Sequence, residues 1–347
     1  MKTRTKKIVF IVCFFMLISL NLAGETWGKS VTIEVGQTRT VEGCLTIKKG
    51  VTITVNGNLT INGAVLASSS IGPSDDDVYI VGGGTVNIIS SSYNLRLANN
   101  LHFENVTINY LTLGEYNSGS EDPSLKYTLF LKNVTINGDF KNGYSSSSDV
   151  KNQPRTQIEE GSRVFVKGDI SNLGTIDCNG RLVVGTLMDV PDGKTIIESN
   201  GTITNLGTIN INTSDEALAK TQLEPKLENS VYYAAITCRD LINGRNQTSA
   251  DIGEINMSDG SLIVQNDMEL WYRSHLYFNK GKSYVDVWND LIQLDTTYET
   301  KGEEAIVKLH GVGAEAQIMF GKRMKIGRLL TMNDILMIGT WIIISLL

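Results

Sequence analysis

Residues 44–65 read CLTIKKGVTITVNGNLTINGAV. Apolar side chains alternate with polar ones at Leu45, Ile47, Val51, Ile53, Val55, Leu59, Ile61 and Val65. The runs break at Lys49-Gly50, Asn56-Gly57-Asn58 and Asn62-Gly63. Period-two alternation sends one set of side chains to one face, so each run reads as a half-buried strand. A hairpin meander fits such a pattern, and so does a coil in which each short strand stacks on its counterpart one turn later. The remainder of the chain decides between them.

The clearest repeat lies further on. ISNLGTID at 170–177 returns as ITNLGTIN at 203–210, differing only at Ser171/Thr204 and Asp177/Asn210. NVTIN occurs at 105–109 and again at 133–137. Such self-similarity points to stacked units, none of which buries its own apolar face alone. A looser motif recurs as VNGNL at 55–59, INGDF at 136–140, VKGDI at 166–170, VQNDM at 264–268 and VWNDL at 287–291. Gly or Asn accepts a positive φ there, and the following Asp or Asn is positioned to hydrogen-bond the turn's own amides. Five corners explain this motif better than an aspartate ladder for calcium. Hairpin sandwiches turn every 8–12 residues or so between strands of similar length, and these repeats are longer. The expected fold is therefore all-β, a right-handed parallel β-helix of about a dozen short turns.

Composition agrees. Aromatic residues make up 7% of the 347 residues, Gly is frequent at 33, and Pro is scarce at 5, which suits β-branched interiors and Asn/Gly corners. Residues 1–28 read as an export signal: Lys2, Arg4, Lys6 and Lys7 precede an apolar run from Ile8 to Leu20, followed by Ala23, Gly24 and Gly28. That run is too short to span a bilayer. Without 1–28 the chain carries 27 basic and 36 acidic residues, a net charge of −9, which disfavours nucleic acid and anionic membrane surfaces. Cys44, Cys178 and Cys238 are far apart and form no C-x-x-C pair. They read as buried strand residues, not as a metal, redox or disulfide framework.

The expected organisation is a signal peptide at 1–28, a parallel β-helix at 29–321 and a basic-then-apolar tail at 322–347. In the tail, Lys322, Arg323, Lys325 and Arg328 precede the apolar stretch Leu329–Leu347. A membrane segment there conflicts with the positive-inside rule and carries Asp334. The end of a longer or frame-shifted protein is the preferred reading over a membrane tail or an apolar cap.

The runs LTIKKGVTITVNGNLTING, NLGTIDCNGRLVV, INMSDGSLIVQNDMEL, SYVDVWNDLIQL and VKLHGVGAEAQIMF resemble segments of large repetitive bacterial surface or secreted proteins built of β-helical "VNGDF"-type repeats. The resemblance covers most of 40–320. It implies an adhesin, a wall-associated spacer or a scaffold, and it carries over no catalytic residue. The C-terminus departs from it, because no sorting signal or repeated wall-binding module follows.

Asp75-Asp76-Asp77 sits among Ser and Pro and reads as a solvated turn, while Asp169, Asp177 and Asp267 are scattered. His102, His275 and His310 fit no metal-binding spacing, and Gly82–Gly84 lacks the Lys and helix of a phosphate loop. No catalytic residue, metal ligand or cofactor is assigned. The aromatic cluster Trp271, Tyr272, Tyr277 and Trp288 is the candidate glycan-stacking surface; Phe278, Tyr284 and the pair Tyr232-Tyr233 share its ambiguity with ordinary packing. The expected function is a secreted or cell-surface, non-enzymatic, adhesin-like or structural module with polysaccharide or cell-surface partners. It would meet membrane only through the signal peptide or the tail. The alternatives are a carbohydrate-active β-helix enzyme (a polysaccharide lyase or hydrolase) and a glycan-binding module. Acids clustered with Lys or Arg along one outward groove favour the enzyme, an outward aromatic row without acids favours binding, and a featureless polar exterior favours the scaffold.

Overall fold

A computed structural model describes residues 24–326, apart from 71, 73–75, 91–93, 115–126, 144–152, 186–187, 190–194, 197–199, 214–234, 245–252, 272–273, 280–281, 290, 294–295, 301–303, 312–313 and 320–323. The described residues are strands, corners and loops, and they form a parallel β-helix. Each coil runs through three sheets, here A, B and C, with one strand in each, except that in coil 9 the single strand Glu254–Val264 serves both B and C. Coil 1 shows the plan, with Glu25–Trp27 in sheet A, Val31–Ile33 in B and Thr38–Val41 in C. Sheet A holds eleven strands, one per coil. Coils 2 to 11 start in that sheet near residues 45, 65, 95, 111, 140, 170, 202, 240, 268 and 291. Pairing from coil to coil is parallel, as in Leu45↔Val65 and Ile170↔Ile203.

Alternation makes the inward columns. One column of sheet B runs Ile53, Ile80, Phe103, Leu131, Ile158 and Cys178, each in register with the next and each buried. Burying one such side chain is worth about 1.5–3 kcal/mol. A single coil presents its column to both neighbours and has no other partner for it, so stability is a property of the stack.

The motif marks corners, but its Gly57, Gly138, Gly168, Asn266 and Asn289 do not take the expected positive φ. Four of its five copies, at 136–140, 166–170, 264–268 and 287–291, join sheet C to the next sheet A strand; the copy at 55–59 joins B to C. The side-chain bonds differ from the expectation. Asp139 accepts from the amide of Asp169 at 3.1 Å, Asp169 from that of Thr202 at 2.8 Å and Asp240 from that of Asp267 at 3.2 Å. Each carboxylate thus ties its own coil to the next one, not to its own turn. At the B-to-C corner the chain passes so close to its neighbour that a Cβ on Gly57 would lie 2.3 Å from the Gln37 carbonyl oxygen. In coils 4 and 5 the same corner carries a left-handed residue, Asn105 at φ 56° and Asn133 at φ 51°, as Asn tolerates better than most residues.

Two further expectations change. Cys178 and Cys238 are buried, but Cys44 is exposed. It precedes Leu45 at the C-to-A corner, outside the period-two core face. The strand pattern also runs past Gly321. Ala314–Met319 pairs antiparallel with Glu304–Gly311, and Met324–Ile326 pairs antiparallel with Thr296–Thr300. These two strands close the C-terminal edges of sheets C and B, where an open parallel edge would invite pairing with another chain. Residues 327–347 lie outside the described residues, as do residues 1–23 of the expected signal; its end at 25–27, by contrast, is the first strand of sheet A and pairs with Leu45–Ile47. No helix among the described residues is long and apolar enough to cross a membrane.

Candidate functional site

The outer face of sheet B in coils 3 to 6 gathers the most chemistry. In β-strand alternation Ile80, Phe103 and Leu131 point inward, so Tyr79, His102 and Phe130 point out. Register puts these three in one column. Their rings stack along the helix axis, with Tyr79 and His102 centroids 4.4 Å apart at 18° and His102 and Phe130 centroids 4.3 Å apart at 6°. The faces of the middle ring are therefore taken up by its neighbours.

Carboxylates surround this stack. His102 Nε2 lies 3.0 Å from Asp77 and Nδ1 lies 3.6 Å from Glu159. Two residues further along these strands, Lys132 Nζ is 3.5 Å from Glu104. Partial burial raises the Tyr79 phenol above its ordinary range, and the negative charges of Asp77, Glu104, Asp76 and Glu159 push the same way. In coil 7 Asp177, nearly buried, accepts from Arg155 Nε and from Asn210 Nδ2. The column continues through Asn210 and Asn256, where Asn256 donates to Asn210 at 3.0 Å, and reaches Tyr277; beside it, Asn279 donates to Asn256 at 3.4 Å.

Sequence reasoning placed Asp77, His102 and Asp177 in separate segments, and the fold brings the first two together. It missed Tyr79, Phe130, Glu104 and Glu159. The signal for them is their position in strand register, which unequal excursions between coils conceal. Among the described residues no group of three or more His, Cys, Asp or Glu side chains could hold a metal ion.

The predicted glycan-stacking residues fall on one coil. Trp271 follows the sheet A strand Met268–Leu270, Tyr277 is in sheet B and Trp288 follows the sheet C strand Lys282–Val287. They are spread around the perimeter of coil 10 instead of forming a column along the axis. Trp271 Nε1 donates to Glu269 at 2.8 Å, and Tyr277 stacks on His275 with centroids 5.2 Å apart. Tyr272 lies outside the described residues, as do Tyr232 and Tyr233. Tyr284 is on the outer side of sheet C, and Phe278 points into the core.

Inside the coil, the ISNLGTID and ITNLGTIN repeats have a different role. Asn142, Asn172, Asn205 and Asn243 occupy one column where sheet A turns towards B, and all four are buried. Each donates to the next, at 2.8, 2.7 and 2.7 Å. This ladder is structural. No protein-family model, curated protein or solved structure matches the chain.

Proposed function

We propose that the chain is a secreted or cell-surface, non-enzymatic β-solenoid, an adhesin-like or structural module. The observation that carries this reading is the lateral pairing of outward polar groups. His102 with Asp77, Lys132 with Glu104, Arg155 with Asp177 and Asn256 with Asn210 each join different coils. Side chains tied across rungs stiffen a rod and are held away from a free substrate. The test is a screen for lyase and hydrolase turnover on plant and bacterial polysaccharides, with and without calcium. No turnover, with the chain recovered in the secreted or surface fraction of its host, is expected.

A second reading has its own observation. Asp77, His102 and Glu159 form a carboxylate–imidazole–carboxylate row on the outside of a β-helix, with Lys132 beside it, and an imidazole oriented by a carboxylate is a general acid–base device. Turnover in the screen that is abolished by His102→Ala or Asp77→Ala would replace the adhesin-like reading with a carbohydrate-active enzyme.

A further inference from the structure

The outer face of sheet C in coils 1 to 5 differs from the rest of the exterior. One outward column runs Thr38, Asn58, Thr85, Thr107 and Thr135, in unbroken parallel register. Beside it, two residues along each strand, run Thr40, Thr60 and Asn87. All eight are exposed or half-buried. The second column is interrupted in coil 4, where the Asn109 side chain closes onto the backbone of Ile88. Parallel pairing sets the rows about 4.8 Å apart, and alternation sets the columns about 6.6 Å apart.

Neither charge nor aromatic ring stands in these two columns, in a chain that is 20% charged. The same coils carry Asp77, His102, Glu104 and Lys132 on sheet B, so the exclusion belongs to the face and not to the coils. It ends at coil 6, where Phe165 replaces the threonine column and Arg163 lies over its ring at 4.6 Å. Solubility alone favours charges on an exposed sheet. What the array offers instead is a two-dimensional net of short hydroxyl and amide groups with interspersed methyls, held at fixed spacing by the backbone. Hydroxyls hold ordered water by hydrogen bonds, and methyls order the water beside them. Sugar rings stack on aromatic faces, which this net lacks.

We propose that the sheet C face of coils 1 to 5 binds an ordered lattice of water, the surface of ice. The proposal goes beyond the adhesin-like reading and stands whether or not the chain is held on a cell. The test uses the purified chain in two assays: partition into slowly grown ice and inhibition of ice recrystallisation. Thr85→Lys puts a charge at the centre of the net, Thr107→Lys repeats this one coil on, and Ser171→Lys puts the same charge on the outer side of sheet A. Circular dichroism and melting temperature report which variants are folded. The native chain is expected to enter ice and block recrystallisation, Ser171→Lys to behave the same, and any folded threonine variant to lose both effects. The proposal is overturned if the native chain is rejected by ice, if the folded threonine variants retain native activity, or if Ser171→Lys loses it equally. Adsorption to crystalline chitin or cellulose combined with rejection from ice would likewise overturn it, in favour of a polysaccharide surface.

Discussion

Asn172 donates its side-chain amide to Asn205, one coil further on, across 2.7 Å inside the β-helix. Asn205 passes the relation to Asn243, also at 2.7 Å, and donates as well to the Glu254 carbonyl at 3.1 Å. Its side-chain oxygen Oδ1 also receives the Gly207 amide at 3.3 Å. Removal of the side chain leaves buried partners on both sides without water to replace it. Asn205→Ala is expected to cost about 3 kcal/mol or more, because each orphaned buried group costs about 1–3 kcal/mol. Urea denaturation of the two proteins measures it, and a change under about 1 kcal/mol would mean that the ladder is bystander packing.

The three cysteines of the coiled region should separate by reactivity. Burial pushes the Cys178 thiol up to about 12, and burial raises Cys238 as well. Thiolate is the reactive form, and both side chains are inside the core. Cys44 is exposed. In native buffer near neutral pH a maleimide should label Cys44 alone, with Cys178 and Cys238 labelled only after denaturation. Peptide mapping reads this directly; rapid native labelling of Cys178 would show that coil 7 opens.

Legibility followed the period and the repeat. Alternation at 44–65 gave strands, and the recurrence of NLGTI marked Asn172 and Asn205 as equivalent positions of two stacked units, though not as a ladder. Its outer rungs were hidden, because Asn142 and Asn243 stand in FKNG and LING without the LGTI that follows the other two. The Tyr79–His102–Phe130 column was illegible for a related reason. Its members are separated by 23 and 28 residues, since the excursions between strands vary in length. A column is defined by backbone register, and register is set by long-range pairing that no local pattern records. The aromatic cluster at 271–288 shows the converse: closeness in sequence spreads Trp271, Tyr277 and Trp288 around one coil.

Glu25 supplies a prediction with a definite sign. It accepts the Trp27 indole N–H at 2.8 Å and pairs with Arg39 at 2.8 Å. The indole bond is the larger influence; with the guanidinium it outweighs burial and holds the carboxyl below its ordinary 4.5. A lowered folded value means that the interaction contributes fully above the ordinary value and is lost as pH falls through the folded one. Partial exposure limits it to under about 1 kcal/mol. The native chain should therefore melt slightly higher than Glu25→Gln at pH 7, and the difference should shrink below about pH 4. A gap that widens in acid would contradict the assignment.

Corner aspartates yield the last prediction. Asp169 accepts the Thr202 amide at 2.8 Å while its own amide donates to Asp139 at 3.1 Å. An asparagine keeps the acceptor oxygen, whereas an alanine does not. Asp169→Asn should thus be near neutral, and Asp169→Ala should cost about 1 kcal/mol, the usual net worth of such a bond. A calcium ladder makes the reverse demands. It needs the charge, so Asn would be as damaging as Ala, and chelation would lower the melting temperature of the native chain. Melts of the three proteins with calcium and with EDTA separate the two schemes, and the carboxylate geometry here, with oxygens aimed at the next coil's amides, favours a melting temperature indifferent to calcium.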